Sequence, residues 1–222
     1  MQWNSFLFPA PENCFEYRKE DNIVYIPKKK ESKSKKSSKS SKEESKDSNN
    51  EANFDYIPCL YLPYKEGSNR VLMFFHGNAE DIGWSLSFVR TLQKRLKVHI
   101  LSVEYPGYSL YIGKPNANTI LEDSEYVFNF ITDEIGILPQ DVILFGRSIG
   151  SGPATHLAAR HKVNMLVLMS AYTSIKRVVK DMAGSIAAGL VAERFKNIDE
   201  ISKVKSPVLI IHGIADKLIS YQ

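Results

Sequence analysis

From residue 70 onward, short apolar runs alternate with longer segments of helical periodicity. The apolar runs span 70–75, 98–103, 141–146, 163–169 and 207–211. Between them, apolar residues recur at helical spacing over 85–96, 119–135 and 149–161. Strands buried on both faces of a parallel sheet appear as continuous apolar runs joined by helices. The pattern predicts an α/β fold with a mostly parallel central sheet, helices on both faces, and functional residues at the carboxyl ends of the strands.

The N-terminal part contains two further strand-like segments separated by a long polar insertion. Residues 23–26 are apolar, and residues 54–62 alternate apolar and polar side chains. This predicts an antiparallel strand pair joined by a long connection. Because Pro58 lacks an amide hydrogen, we expect the second strand at a sheet edge or at a bulge. The predicted organisation is an N-terminal arm with the first strand (1–27), an insertion (28–53) and a main domain (54–222).

The insertion is rich in lysine and serine, and residues 28–50 contain no apolar side chain. This composition predicts disorder, because such a segment cannot repay the entropy of ordering. Nine of the 29 basic and four of the 25 acidic residues lie there, so the rest of the chain has a net charge of −1 although the total is +4. The folded part lacks the basic character of nucleic-acid binding proteins. The tract from Lys28 to Lys46 either contacts an anionic membrane peripherally or is a solvated loop.

Cysteine usage and apolar run length bear on the cellular location. Cys14 and Cys59 are too few for a disulfide framework and do not have the spacing of a metal site, which favours a reducing compartment. No apolar run reaches the length of a membrane span, and the N-terminus lacks the pattern of a secretory signal. We expect a cytoplasmic protein, free or peripheral at the membrane. Residues 3–11 with Cys14 as an acylation candidate fit an interfacial contact, and they also fit a packed arm.

The pentapeptide Gly146-Arg-Ser-Ile-Gly150 lies where a strand-like run gives way to a helix-like one. A serine on a sharp strand-to-helix turn needs strained backbone geometry and glycine neighbours, because flanking side chains would collide with the strand and helix. The following helix directs free N–H groups towards the reacting carbonyl. The pattern predicts that Ser148 is a nucleophile and that the backbone N–H of Ile149 is an oxyanion donor. The alternative is a glycine-rich turn with an incidental serine.

Three other loops follow predicted strands at the same edge of the sheet. His76-Gly-Asn-Ala-Glu-Asp81 follows the first parallel strand, where the backbone N–H of Asn78 is expected to complete the oxyanion hole and His76 to organise the loop. Asp216 follows the last strand, in the chain order serine then acid. It is expected to orient a catalytic histidine, or else to cap the helix that follows. Residues 105–109 fit a pocket wall and a packed turn equally well.

Four segments together carry a family resemblance. They read HGNAEDIG, YPGYSLYIGKP, FGRSIGSGPATHLA and SPVLIIHGIADKLIS. In this order they resemble the alpha/beta-hydrolase-domain serine hydrolases, specifically the group containing palmitoyl-protein thioesterases. The resemblance covers 54–222 and implies the alpha/beta-hydrolase fold. It also implies that an acyl thioester or ester, in an acylated protein or a lipid, is hydrolysed through an acyl-enzyme on Ser148, with neither a metal nor an organic cofactor. Family members that remove palmitate from proteins carry an N-terminal cysteine cluster, where this chain has only Cys14.

One part of the family pattern is missing from the sequence. The resemblance implies a catalytic histidine about 25 to 30 residues after the acid, beyond one more helix and strand, and the sequence ends at Gln222. We therefore expect a fragment of a longer hydrolase, in which the apolar strand 207–211 lacks one neighbour. His76 and His212 stand at strand ends, but we expect them to organise loops rather than to replace the missing base.

Two functions follow from these observations. The first is a serine hydrolase of the thioesterase type, in which 173–200 forms a small helical lid; the apolar part of that segment, 183–192, also fits a buried core helix. The second is a catalytically inactive chain that keeps the pocket and acts as a binding or scaffold protein. Peptidase activity on the same fold is a weaker third choice.

Overall fold

The computed structural model describes residues 22–29, 54–66 and 68–221 of the chain. Within these ranges, seven strands form one sheet. The strands are β1 (Ile23–Lys29), β2 (Phe54–Leu62), β3 (Val71–Phe75), β4 (His99–Val103), β5 (Val142–Arg147), β6 (Met165–Met169) and β7 (Val208–Ile211). Cys14 and residues 30–53 lie outside the described residues, so the expected acylation, disorder and membrane contact there stay predictions.

Helices connect and cover the strands of the described part. They are α1 (Leu86–Leu96), α2 (Ala117–Asn129), α3 (Ser151–Arg160), α4 (Ile175–Gly189) and α5 (Asn197–Glu200). A π-helical turn, Phe130–Glu134, continues α2, and a 3-10 turn, Ser148–Gly150, precedes α3. The three helices predicted from the periodicity correspond to α1, to α2 with its π-helical turn, and to α3.

The strand order across the sheet is β1-β2-β4-β3-β5-β6-β7. β2 pairs antiparallel with β1 and β4, whereas β4, β3, β5, β6 and β7 are parallel to one another. The predicted α/β fold with a mostly parallel sheet is therefore confirmed. The carboxyl ends of the five parallel strands meet at one edge, so the loops that follow them converge there.

Apolar side chains cover both faces of the sheet, because successive residues of a strand point to opposite sides. In β3, Met73 and Phe75 belong to the cluster that contains side chains of α2 and α3. Leu72 and Phe74 belong to the cluster that contains side chains of α1. Helices α2 and α3 thus lie on one face and α1 on the other, which leaves the carboxyl edge of the strands open between the two layers.

Strand β2 is internal, which corrects the expectation for Pro58. The register with β1 is unbroken, and β4 pairs on the other side, so Pro58 lies neither on an edge strand nor at a bulge. The carbonyl oxygen of Pro58 accepts a hydrogen bond from the N–H of Glu104 at 3.1 Å, just beyond the last β4 pair. The N–H and C=O of a residue in an antiparallel strand point to the same neighbour. The missing N–H of Pro58 therefore faces β4 where that ladder ends, and no bond to β1 is lost.

Strand β1 continues two residues into the predicted insertion, so Lys28 and Lys29 are strand residues rather than part of a disordered tract. The Nζ of Lys28 lies 2.7 Å from Oδ1 of Asp123 and 5.1 Å from the ring centroid of Tyr126. Asp123 also accepts a 2.8 Å hydrogen bond from the hydroxyl of Tyr111. Burial raises the pKa of Asp123, and the bond from Lys28 opposes that rise. The ammonium of Lys28 is thus bound within the fold, which removes it from the proposed membrane-contacting tract.

Two apolar segments of the described part are exposed to solvent. β7 pairs with β6 alone among the described strands, and its four side chains are 41–63% exposed. In α4, Met182 and Ile186 are 62% and 88% exposed, and Gly184 has a φ of 84° that interrupts the helical geometry. The segment 183–192 is therefore not a buried core helix throughout: Ile186 and Leu190 are exposed, whereas Ala188 and Val191 are buried. Among the described helices, none is both long enough and apolar enough to cross a bilayer.

Candidate active site

Ser148 occupies a strained backbone position between β5 and α3. Its φ is 50°, in the left-handed region that residues with a Cβ seldom adopt. The flanking glycines explain how the turn forms. A Cβ on Gly146 would lie 2.5 Å from the carbonyl oxygen of Gly150, and a Cβ on Gly150 would collide with the carbonyl oxygen of Phe75. This geometry is that of a nucleophile elbow, in which strain holds the serine at the end of the strand.

The loop after β3 is anchored by His76 and Glu104, which are both fully buried. The Nε2 of His76 lies 2.9 Å from Oε1 of Glu104, and its Nδ1 donates to the carbonyl oxygen of Gly77 at 2.9 Å. Glu104 also accepts hydrogen bonds from the backbone N–H groups of Ile82 and Tyr105, at 3.2 and 2.9 Å. Both ring nitrogens of His76 are therefore used to hold the loop, and neither is open to take a proton from substrate or serine.

The segment after β4 packs against the same loop. Tyr105 and Tyr108 are buried, and their hydroxyls donate to the carbonyl oxygen of His76 (2.9 Å) and to Oδ1 of Asn78 (3.0 Å). The tyrosine ring centroids lie 4.0 and 5.7 Å from that of the His76 imidazole. Burial raises the pKa of both tyrosines, so each hydroxyl stays a donor. Of the two interpretations of 105–109, the structure shows the packed turn, and the turn supports the loop that carries Asn78.

The start of α3 is held by contacts to the segment after β6. The carbonyl oxygen of buried Ile149 accepts a 3.2 Å hydrogen bond from the hydroxyl of Tyr172. The Nδ2 of Asn197 donates to the carbonyl oxygen of Tyr172 at 3.0 Å and to Oγ of Ser151 at 2.9 Å. Burial raises the pKa of Tyr172, which keeps its hydroxyl protonated. These bonds fix the backbone that follows the Ile149 amide.

Asp216 lies in the turn after β7, at the same edge of the sheet as Ser148. Its Oδ1 accepts hydrogen bonds from the backbone N–H groups of Ile219 (3.0 Å) and Leu218 (2.9 Å), and these bonds hold the pKa of the carboxyl below its ordinary value. Its Oδ2 lies 3.6 Å from Nε2 of His212. Asp216 is thus a carboxylate whose orientation is set by the backbone of its own turn. The alternative of a helix cap is not what the described residues show: no helix follows Asp216 up to residue 221, and Oδ1 closes a turn instead.

None of the five histidines, all of which lie in the described residues, hydrogen-bonds to Ser148. Besides His76, the Nε2 of His212 donates to the carbonyl oxygen of Ile219 at 2.8 Å. His99 lies at the amino end of β4, where its Nε2 donates to the carbonyl oxygen of Ser68 at 2.7 Å. His156 and His161 both contact Glu125, far along α3 from the elbow. The described residues also contain no group of three histidine, cysteine, aspartate or glutamate side chains that could hold a metal ion.

A cavity of about 620 Å³ lies beside these elements. It is bounded by α4, by the segment after β6 and by the residues that follow β7. Tyr172, Leu218 and Ile219 line it, so it adjoins the partners of both Ile149 and Asp216. The remaining lining mixes aliphatic side chains, such as those of Leu168 and Ile210, with polar ones, and Arg177 and Asp181 are charged. Its volume lies within the range of sites that bind small organic ligands, about 300–1,000 Å³.

Sequence comparison finds relatives with a shared description. The human alpha/beta hydrolase domain-containing protein 17B is 37% identical over 166 residues, which cover 74% of this chain and 56% of that protein. The Xenopus laevis protein 17C is 36% identical over 167 residues, covering 75% and 52%. The chain thus spans about half the length of the curated relatives it matches. No family model matches the sequence.

Structural comparison gives the same architecture. A crystal structure of an alpha-beta hydrolase from Vibrio vulnificus superposes with a TM-score of 0.59 at 21% identity, covering 69% of this chain and 59% of that one. An alpha-beta serine hydrolase homologue from Coxiella burnetii gives 0.57 at 16% identity, covering 75% and 72%. The chain is an alpha/beta hydrolase by fold and by sequence similarity. The resemblance predicted from the four sequence segments is confirmed, and the relatives support a hydrolase.

In this alpha/beta hydrolase, the fold brings the predicted elbow and the predicted oxyanion loop together. Gly150 packs against the backbone of Phe75 and His76, at the start of the loop that carries Asn78. Asp216 follows β7, two strands away from β5 along the same edge. The sequence interpretation missed Glu104, the buried carboxylate that binds His76. Its signal was a charged residue directly after an apolar strand-like run, in the position where the other parallel strands place their functional loops.

Proposed function

We propose that this alpha/beta hydrolase cleaves acyl thioesters or esters of the palmitoyl-protein type, with Ser148 as the nucleophile. The observation that carries the proposal is the positive φ of Ser148 between two glycines at the end of β5. A non-glycine residue is held in such a conformation only where surrounding structure imposes it, and such strain is concentrated at functional sites. The similarity to alpha/beta hydrolase domain-containing protein 17B supports the coarser statement that the chain is a hydrolase.

The proposed reaction has two halves. The Ser148 Oγ attacks the acyl carbonyl carbon while a base takes the hydroxyl proton, and the carbonyl electron pair moves onto oxygen. The backbone N–H groups of Asn78 and Ile149 stabilise that oxyanion. When the tetrahedral intermediate collapses, the C–S or C–O bond breaks and the leaving group receives the proton. Water then attacks the acyl-enzyme by the same route, releasing the acid and restoring the serine. Asp216 is the carboxylate proposed to orient the histidine that acts as base, a role for which none of the five described histidines is placed.

The cavity beside the site supports an acyl substrate. Its apolar lining, which includes Leu168, Val178 and Ile210, suits a hydrocarbon chain, because burying each methylene contributes about 0.8 kcal/mol. α4 contributes Arg177, Val178 and Asp181 to the lining of this cavity and is the proposed lid. The proposed substrate class is therefore an acylated protein or a lipid ester.

A specific observation favours a second candidate function. Each of the five histidines is engaged elsewhere in the described residues, so none is placed to take the Ser148 proton. A chain without that base would lose several orders of magnitude in rate. The second candidate is therefore an inactive hydrolase domain that retains the cavity and acts as a binding or scaffold protein.

Reaction with a fluorophosphonate probe separates the two candidates. We expect the parent chain to label on Ser148, as located by peptide mapping, and Ser148→Ala to remain unlabelled. Hydrolysis of a palmitoyl thioester that depends on Ser148 would support the thioesterase proposal. Failure of the folded parent chain to label, together with saturable binding of a fluorescent fatty acid, would support the binding protein and contradict the enzyme.

The cytoplasmic and membrane-peripheral location is also a proposal. It rests on the lysine-rich tract from 30 to 46, since Lys28 is bound to Asp123. Each lysine near an anionic surface contributes about 1 kcal/mol. We expect the chain to sediment with phosphatidylserine vesicles at low salt and not with phosphatidylcholine vesicles. Equal sedimentation of a variant lacking 30–46 would contradict the tract's role.

A further inference from the structure

The carboxylate of Glu80 bridges the oxyanion loop and the nucleophile elbow. Its Oε2 accepts a 3.1 Å hydrogen bond from the N–H of Gly77, and its Oε1 lies 2.7 Å from Nη1 of Arg147. Arg147 is the residue directly before Ser148. One side chain therefore contacts both segments that carry the proposed oxyanion donors. The Glu80 side chain is 13% exposed and that of Arg147 is 40% exposed, so the pair is only partly open to solvent.

The loop backbone is shaped to permit this bridge. Ala79 has a φ of 56°, which turns the chain so that Glu80 faces back towards the start of the loop. A Cβ at Gly77 would lie 3.1–3.2 Å from the Glu80 carboxyl group, which is tighter than an ordinary contact. Glycine at this position lets the carboxylate approach its N–H. Because that N–H is bound to Glu80, it is not available to a substrate oxygen, and the donor role falls to the amides that follow.

A second contact joins the same two segments. Gly150 lies against the carbonyl groups of Phe75 and His76, so closely that no Cβ would fit. Backbone packing at Gly150 and the Glu80–Arg147 ion pair thus fix the oxyanion loop to the elbow at two points. If the contact at Gly150 were the only one, the loop could pivot about the end of β3. The distance between the amides of Asn78 and Ile149 would then vary.

We propose that Glu80 is a positioning residue for the reaction, and that it sets the separation of the Asn78 and Ile149 amides by joining Gly77 to Arg147. The inference rests on the proposed function, since it concerns the same oxyanion hole. Oxyanion donors act at a defined separation, and a misplacement of about 1 Å can cost about 100-fold in rate. Ion pairs between partly exposed side chains contribute little to the stability of the fold. Loss of Glu80 should therefore appear in the rate far more than in stability.

Three variants separate the two contacts that Glu80 makes, with the N–H of Gly77 and with Arg147. Glu80→Ala removes both contacts, Arg147→Ala removes the ion pair alone, and Glu80→Gln keeps an oxygen for the Gly77 N–H without the charge. With 4-nitrophenyl octanoate as substrate, we expect kcat to fall by about tenfold in Glu80→Ala and by a smaller factor in the other two, with KM unchanged. The second-order rate of labelling by the fluorophosphonate should fall in the same order, because its phosphoryl oxygen uses the same donors.

The matched control is Glu200→Ala. It removes two surface contacts of similar exposure: Oε2 of Glu200 lies 3.0 Å from Nη1 of Arg160 at the far end of α3, and Oε1 lies 3.0 Å from Nζ of Lys203. We expect this control to leave kcat, KM and the labelling rate unchanged, and all four variants to melt within a few degrees of the parent. The inference is overturned if Glu80→Ala retains the parent kcat. It is also overturned if the kcat of Glu80→Ala falls only in proportion to its loss of folded protein.

A second readout does not depend on catalysis. In 15N-labelled protein, Glu80→Gln should move the amide resonance of Gly77 and, through the bridge, those of Asn78 and Ile149, whereas Glu200→Ala should move none of them. Failure of the parent chain to label with the fluorophosphonate would contradict the proposed function. The amide resonances would then decide by themselves whether Glu80 positions the Asn78 and Ile149 amides. An unchanged Ile149 resonance in Glu80→Gln would show that Glu80 does not set the elbow, and would overturn the inference.

Discussion

The Nε2 of His76 lies 2.9 Å from Oε1 of Glu104, and both side chains are completely buried. Because Nδ1 of the imidazole must donate its proton to the carbonyl oxygen of Gly77, the contact with Glu104 contains one shared proton. Whichever atom holds that proton, the pair is neutral as a whole. This explains how a carboxyl group and an imidazole can both be enclosed beneath the oxyanion loop.

We predict that Glu104→Gln destabilises the protein. One carboxylate oxygen accepts from Tyr105 N–H and His76, and the other accepts from Ile82 N–H. Replacing either oxygen by an amide NH2 leaves a buried donor without an acceptor, at a cost of about 1–3 kcal/mol. Urea unfolding should show this decrease in the free energy of unfolding.

A buried polar group of the neighbouring strand provides the control. The Oγ of Ser102 is buried and has no hydrogen-bond partner among the described residues. Ser102→Ala should therefore be neutral or slightly stabilising, because no bond is lost. If Glu104→Gln proves as harmless as Ser102→Ala, the bonding assigned to Glu104 is wrong.

Gly150→Ala should disrupt the elbow. A Cβ at this position would collide with the backbone of β3 at Phe75, which no rotamer change can relieve. We expect a loss of about 2–3 kcal/mol in unfolding free energy and the loss of fluorophosphonate labelling, because Ser148 is displaced. Gly189→Ala is the matched control, since a Cβ there meets nothing within 4 Å. Equal thermal stability of the two variants would contradict the close approach of Gly150 to the backbone of Phe75.

The pH dependence of the free energy of unfolding should reveal the contribution of the Glu125 carboxylate. Burial by itself raises the pKa of this carboxyl, but hydrogen bonds from His156 and His161 outweigh it, so the pKa lies below its ordinary value. A carboxyl with a lowered folded pKa stabilises the fold above its unfolded pKa, and this contribution is lost as the pH falls through the folded pKa. We expect parent and Glu125→Gln to differ in unfolding free energy above about pH 4.3 and to converge at lower pH. A difference that does not change with pH would assign Glu125 a packing role instead.

Cys59 should be unreactive in the folded protein. It is fully buried in β2, and burial, with the nearby carboxylates of Glu104 and Asp123, raises the pKa of its thiol far above the ordinary value. In a Cys14→Ser variant, where Cys59 is the remaining thiol, Ellman's reagent at pH 8 should give no signal until urea is added. If the folded Cys14→Ser variant reacted at the rate of free cysteine, the buried position of Cys59 in β2 would be wrong.

Much of the fold could be predicted because its signals are local. The strand runs and the helices between them depend on side-chain periodicity within a few residues, and α1, α2 and α3 lie close to their predicted bounds. The turn at Ser148 was predictable for the same reason, since Gly146 and Gly150 are needed within one pentapeptide. The interpretation of Pro58 was wrong because a proline pattern does not tell which neighbour the missing N–H faces. That depends on pairing with β4, which begins about 40 residues later.

The sequence by itself determined the order of the strands along the chain, the elbow at Ser148 and the position of Asp216 after the last parallel strand. Only the tertiary structure decided what His76, Lys28 and Glu80 do. Each is a charged or polar residue with several possible partners in the sequence, and its partner is set by which strands and loops lie side by side. Glu80 and Arg147 meet across 67 positions of sequence because β3 and β5 are neighbours in the sheet, although β4 lies between them in the chain.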